Sequence, residues 1–139
     1  MKNTQVGSAA LGISEKLPAV SGIGRQWNVS AINLIVFPVS NLEPATRLYK
    51  ALLGVEPYMS SPYYVGFRVG DQEIGLDPSG RKKAPGPIAY RDVPDLNSAI
   101  NALTAAGATV TQNPTDVGGG MMIALLTDTD GNTLGLRQS

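Results

Sequence analysis

The sequence contains no cysteine and no histidine. The first absence excludes disulfides, thiolate catalysis and cysteine-based zinc sites; the second removes the side chain most used as a general base near neutral pH and as a transition-metal ligand. Any metal would have to be a hard cation held by carboxylates and carbonyls. Net charge is also lacking, since 11 Lys and Arg balance 11 Asp and Glu. The one tight basic cluster, Arg81-Lys82-Lys83, lies in a Pro/Gly-rich stretch, so the electrostatic footprint of a nucleic-acid binder is missing and no such partner is expected. No apolar run approaches the roughly 20 residues of a transmembrane helix. The short patch Ala9-Ala10-Leu11-Gly12-Ile13 is broken by Ser14-Glu15-Lys16 before it could serve as the core of a signal peptide. A cytoplasmic address with no membrane partner is the resulting expectation.

What is present suits one globular domain: 139 residues, 42% of them hydrophobic, can bury a core without a disulfide or metal staple. Residues 1–30 are rich in Gly, Ser and small side chains and show no sustained period, so they read as an N-terminal arm. Trp27, the single tryptophan, is its expected anchor, on its own domain or on a partner subunit. Residues 31–139 read as the folded domain, with module one at 31–80 and module two at 86–138.

From Ile32 the pattern is regular. Residues 32–39 form a β-rich run; Asn41 then caps a helix with Pro44 in its first turn, Ala45, Leu48, Tyr49 and Leu52 on its apolar face, and Gly54 as its stop. Strands are predicted at 55–59, 63–69 and 72–76, the last two joined by a turn at Gly70-Asp71. After the linker at 78–86 the order starts again. A strand at 87–92 leads to a helix capped by Asp95, with Leu96, Ala99, Ile100 and Leu103 on one face and Gly107 as stop. Strands follow at 108–112, 121–127 and 132–137. Each half reads βαβββ, which makes the chain an α+β internal repeat; each half leaves one sheet face uncovered, so the pair is expected to enclose a concave surface.

The stretches INLIVFPVSNLEPATRLYKALLG, YYVGFRVGDQEIGLDP and DTDGNTLGL, in this order and register, resemble the vicinal oxygen chelate superfamily of glyoxalases, bleomycin-resistance proteins and extradiol dioxygenases. The resemblance covers residues 32–137. It implies two βαβββ modules in a U-shaped mixed sheet, commonly completed in a dimer, whose cup holds a divalent metal or an organic ligand. In the metal enzymes of that family, His, Gln or Glu project from the first and last strands of each module. Carried over by register, those positions are Leu34, Gly75, Ile88 and Gly135. None can bind a metal through its side chain, and neither can a one-residue shift supply a good ligand set. The expectation is therefore no metal and no cofactor.

Strand alternation then gives the cup lining. If Leu34, Gly75, Ile88 and Gly135 face inward, so do Ile32, Val36, Glu73, Asp77, Tyr90, Asp92, Thr133 and Arg137. The two glycines leave space for a planar or bulky ligand, or for filling by Met121 or Met122. Asp77 and Arg137 would either clamp a zwitterionic or amide-bearing ligand or, as charges near strand ends commonly are, be solvated or paired with each other. Of Tyr63 and Tyr64 only one can look into the cup, and Tyr64 is assigned there. Gly118-Gly119-Gly120 reads as a hairpin connection or as a lid. The candidate ligand-binding set is thus Leu34, Val36, Tyr64, Glu73, Gly75, Asp77, Ile88, Tyr90, Gly135 and Arg137.

Three functions follow. The first is a metal-independent, homodimeric, bleomycin-resistance-like protein that binds an aromatic or amphipathic small organic molecule. The second is a glyoxalase-like enzyme, a metal-free isomerase, epimerase or lyase using Glu73, Asp77 or Tyr90 as acid or base. The third is a non-catalytic scaffold whose cup is filled by its own arm.

Overall fold

The computed structural model describes residues 31–139; the arm and its Trp27 anchor, and with them a cup filled by the arm, lie outside the described residues. Strand β1 (Ile32–Pro38) leads to helix α1 (Leu42–Leu53), followed by β2 (Met59–Ser61), β3 (Tyr64–Val69) and β4 (Gln72–Asp77). A short 3-10 turn at Gly80–Lys82 precedes the second module: β5 (Ile88–Asp92), α2 (Leu96–Ala105), β6 (Thr109–Asp116), β7 (Met122–Thr127) and β8 (Thr133–Gln138). All eight strands form one mixed sheet in the order β2-β3-β4-β1-β5-β8-β7-β6. Within each module the first and last strands run parallel, while β1 and β5 pair antiparallel and join the two halves. One chain thus completes the sheet.

Local chemistry explains the helix ends. The Asn41 side chain accepts a hydrogen bond from the Glu43 amide at 3.1 Å, supplying a partner for an N–H the first turn cannot satisfy itself. Gly54 stops α1 in the left-handed region (φ 74°), its amide bonded to the Lys50 carbonyl at 2.9 Å, a conformation cheap only without a Cβ. Asp95 occupies the equivalent cap position of α2, but its carboxylate takes the Ser98 hydroxyl at 2.6 Å. The first amide of α2, on Leu96, is satisfied from across the chain by the Gln138 side chain at 2.6 Å.

Register sorts the side chains into two faces. Phe67, Ile74, Ile35, Ala89, Leu134 and Leu126 line up across six strands and belong to the face that the helices cover. Under α1, Leu42, Ala45, Tyr49 and Leu53 pack with Val65, Phe67 and Leu76; under α2, Leu96, Ala99, Ile100 and Leu103 pack with Ala124, Leu126 and Leu136. The opposite face carries the neighbouring row Arg68, Glu73, Leu34, Tyr90, Gly135 and Leu125. Among the described residues no helix packs there, and its floor is a separate buried cluster of Leu34, Val36, Ala84, Ile88, Tyr90, Ile123 and Leu125.

Four expectations need correction. On α1 the packing stripe is not Ala45, Leu48, Tyr49 and Leu52: Leu48 and Leu52 are 62% and 69% exposed, because the partly buried stripe starts at Leu42 and ends at Leu53, a rotation that keeps Ala45 and Tyr49 in common. The strand expected at 55–59 begins only at Met59, since Val55 is used as packing under α1. Strand β6 runs on to Asp116 rather than ending at 112; it is an edge strand, where the bulges and Pro114 are tolerated. Finally, Ile32 does not face the cup. The pairing of β1 with β5 slips between Ile32 and Leu34, making Asn33 an extra residue that reverses the alternation and turns Ile32 to the helix side. There it borders a cavity of about 250 Å³ with Ala99, Leu103 and Leu134.

Candidate ligand-binding site

The four positions that the resemblance assigns to metal ligands share the face opposite α1 and α2, Leu34 and Gly135 in one cross-strand row and Gly75 and Ile88 in the next. Leu34 and Ile88 are buried aliphatic carbons of its floor. The glycines do not leave open space. A Cβ on Gly75 would run into the Tyr64 hydroxyl, and one on Gly135 would run into the Tyr90 ring; on Gly66 it would meet Tyr58 at 2.9 Å. Three tyrosines therefore lie over three cup-face glycines, each occupying the volume a side chain would need. The expected fillers Met121 and Met122 do not play this part: Met121 borders the floor cluster, and Met122 packs on the α2 side.

Burial raises the Tyr64 hydroxyl far above the ordinary phenol value and pushes Tyr90 up to about 12. Neither offers an anionic oxygen near neutral pH. Two aliphatic side chains, two glycines and two neutral phenols are not a donor set for a divalent cation, which takes carboxylate, imidazole, thiolate or carbonyl ligands. Among the described residues no three acidic side chains gather into a metal-binding group either. The residues present do not fit the metal that the family's enzymes use.

Above this packed floor lies a cavity of about 540 Å³, bordered by Tyr58, Arg68, Glu73, Asp92, Met121 and Arg137, with Val93 and Pro94 alongside. Its polar groups form one network. Glu73 accepts the Tyr58 hydroxyl at 2.9 Å and faces the guanidinium groups of Arg137 at 3.7 Å and Arg68 at 3.9 Å. Arg137 bonds Asp92 through two nitrogens, at 2.7 and 3.3 Å, and Asp92 also receives the Asn33 amide at 3.2 Å. Burial pulls the Asp92 carboxyl up, but the Arg137 and Asn33 hydrogen bonds outweigh it and hold the group below its ordinary value. Burial opposes the Arg137 charge as well, and its two acidic neighbours reverse that effect, leaving it above its ordinary value. Burial and the Glu73 bond raise Tyr58. The Asn33 side-chain oxygen is buried without a hydrogen-bond partner among the described residues.

The candidate residues therefore divide into three groups. Glu73 and Arg137 line the open cavity. Leu34, Val36, Ile88, Tyr90 and Tyr64 form or pack against the closed floor beneath it, with Gly75 and Gly135 under their tyrosines. Asp77 stands apart: at the end of β4 it is buried, accepts the Ser79 amide at 2.8 Å and pairs with Lys83 at 3.1 Å. Asp77 and Arg137 are not paired with each other: Asp77 pairs with Lys83 and Arg137 with Asp92. Tyr63, as alternation requires, points away and is 81% exposed. Gly118-Gly119-Gly120 forms a hairpin connection, with bonds from Val117 to Met121 and from Met121 to Gly118.

Residues outside the candidate set contribute much of the mouth. Arg68 follows from Tyr64 by the same alternation, and Asp92 from Tyr90. Tyr58 carried no such signal, because it precedes β2 and reaches the cup by folding back over Gly66, its amide bonded to the Gly66 carbonyl at 2.9 Å.

A model of the Glyoxalase/Bleomycin resistance protein/Dioxygenase superfamily matches residues 31–136. No protein of curated function matches the chain. Among solved structures, the NAD-dependent benzaldehyde dehydrogenase of Legionella pneumophila is 23% identical, with 76% of this chain and 97% of that chain covered and a TM-score of 0.65. A variant methylmalonyl-CoA epimerase of Streptomyces coelicolor, in complex with 2-nitronate-propionyl-CoA, is 15% identical, with 80% and 95% covered and a TM-score of 0.60. A superfamily member from Vibrio splendidus 12B01 is 14% identical, with 76% and 95% covered and a TM-score of 0.56. Identities this low establish a common fold and leave the activity to the site itself. The repeated βαβββ order, its single mixed sheet and a family match over nearly every described residue together establish that the chain belongs to the glyoxalase/bleomycin resistance protein/dioxygenase superfamily.

Proposed function

We propose that the protein is a metal-independent small-molecule-binding protein, similar in role to bleomycin-resistance proteins, which takes an aromatic or amphipathic organic ligand at the mouth of its cup. One observation carries the reading: tyrosines fill the space beside Gly75 and Gly135, two of the positions the resemblance assigns to metal ligands, while a cavity of about 540 Å³ with polar and apolar walls remains above them. That volume lies within the range of small-molecule sites. A cytoplasmic homodimer without nucleic-acid or membrane partners belongs to the same reading. Leu48 and Leu52, exposed on α1, support the dimer as an apolar surface of the kind subunit contacts cover. A thermal-shift screen against aromatic natural products and antibiotics tests the binding role. A set of related compounds that raises the melting temperature is expected; no stabilisation by any compound, with a crystallographic cavity plugged by side chains, would overturn the proposal.

The enzymatic reading keeps one favourable observation, the position of Glu73 on the cavity wall with its side chain only 18% exposed. Its neighbours count against it as a base. The Tyr58 hydroxyl and two guanidinium groups already engage its oxygens, so a substrate would have to displace them to reach it. Asp77 is tied to Lys83, and the high value of Tyr90 leaves it protonated at neutral pH.

A further inference from the structure

The walls of the cavity are chemically sorted. Met121, Val93 and Pro94 supply an apolar side, while Tyr58, Arg68, Glu73, Asp92 and Arg137 supply the polar one. The two arginines are not equivalent. Arg137 is committed: its side chain is 15% exposed, and two of its nitrogens are bonded to Asp92. Among the described residues Arg68 makes no hydrogen bond, only an ion pair with Glu73 at 3.9 Å, and its side chain is 53% exposed. A pair that long and that open to solvent is weak. Yet Arg68 is placed, because its guanidinium carbon stands 4.1 Å from the centre of the Tyr58 ring. Tyr58 is itself fixed by its hydroxyl on Glu73 and its amide on Gly66. A guanidinium resting on an aromatic face keeps its N–H groups directed outward at its edge, the geometry that matches two carboxylate oxygens at once.

We propose that the cup mouth selects organic monocarboxylates with an apolar body, the carboxylate held edge-on by Arg68 on its Tyr58 platform and the body lying against Met121, Val93 and Pro94. The inference rests on the proposed binding function and adds the ligand class to it. Charge supports a single anionic group. Among the described residues the cavity's cations are Arg68 and Arg137, opposed by Glu73 and Asp92; with Arg137 bonded to Asp92, Arg68 is the described cation that an incoming anion meets. A cationic amphiphile, by contrast, would have to approach Arg68 to reach the same cavity.

Matched pairs of probes that differ only in head group test this: benzoate with benzamide, and indole-3-acetate with indole-3-acetamide. Each is titrated by calorimetry and ligand-observed NMR into the full-length protein and into Arg68→Gln and Tyr58→Leu variants. The expected result is that each carboxylate binds at least ten-fold more tightly than its amide, and that Arg68→Gln removes the difference while leaving the melting temperature of the unliganded protein unchanged. Tyr58→Leu, which keeps the cation and removes its platform, should reduce the preference in part. Equal binding of acids and amides, or a preference that survives Arg68→Gln, would overturn the ligand class while leaving the binding function standing. Binding of cationic or neutral amphiphiles from the wider screen, with no carboxylate bound, has the same meaning. Failure of every compound in both experiments would overturn the two together.

Discussion

At the scale of single residues, the account rests on three contacts between tyrosines and glycines. Because a Cβ on Gly75 collides with the Tyr64 hydroxyl, Gly75→Ala is expected to destabilise the protein by about 1–3 kcal/mol, the usual cost of overpacking a filled site. The same change made in a Tyr64→Ala background should cost much less, and urea denaturation of the double-mutant cycle measures the difference. Additive effects would show that the ring does not occupy the glycine's space. Asp92 supplies a second test. Its folded-state value is depressed, so its contribution to stability is present above the unfolded value near pH 4 and is lost as pH falls through the lower folded value. Asp92→Asn should therefore flatten the acid limb of the stability curve. With the carboxylate 46% exposed, the effect should stay below about 1 kcal/mol.

Much of this was legible at the residue scale, and the failures have physical causes. The inward direction of Glu73, Tyr90 and Arg137 follows from the two-residue period of a strand. The filling of the glycine positions does not, because it depends on which cross-strand neighbour leans over the gap, and Tyr64 on β3 reaches Gly75 only through the sheet register. The partners of Asp77 were equally hidden. Lys83 reaches it only because the segment after β4 turns back through Gly80–Lys82, which no periodic pattern announces.

At the scale of elements, both helices and the repeat could be read from caps, stops and apolar spacing, while rotation and pairing could not. The helix α1 offers leucines on adjacent flanks of one stripe, and only packing on Phe67 and Leu76 selects Leu42 and Leu53 over Leu48 and Leu52. Leu53→Ala is therefore expected to cost about 2–4 kcal/mol by urea denaturation, and Leu48→Lys to fall within about 0.5 kcal/mol in the isolated chain. Sedimentation adds the oligomeric readout: if the proposed dimer uses this face, Leu48→Lys shifts the protein toward monomer without loss of fold. The bulge at Asn33 is the other lesson. One extra residue moves Ile32 to the opposite face, so alternation extrapolated across it assigns the wrong side.

At the scale of the whole molecule, two modules joined through β1 and β5 produce one helix-covered face and one open face whose floor is sealed and whose mouth is polar. A ligand bound there, as proposed, would stabilise the folded state by mass action. A ligand at one hundred times its dissociation constant should add about 2.7 kcal/mol, visible as a concentration-dependent rise in melting temperature. The central claim, that tyrosine side chains fill the positions the resemblance assigns to metal ligands, is tested most directly by anomalous diffraction from crystals of protein prepared with zinc, nickel, manganese and iron. The account predicts ordered Tyr64 and Tyr90 rings over Gly75 and Gly135 and no anomalous peak between those strands. A peak there, with protein atoms at coordination distance, would contradict it.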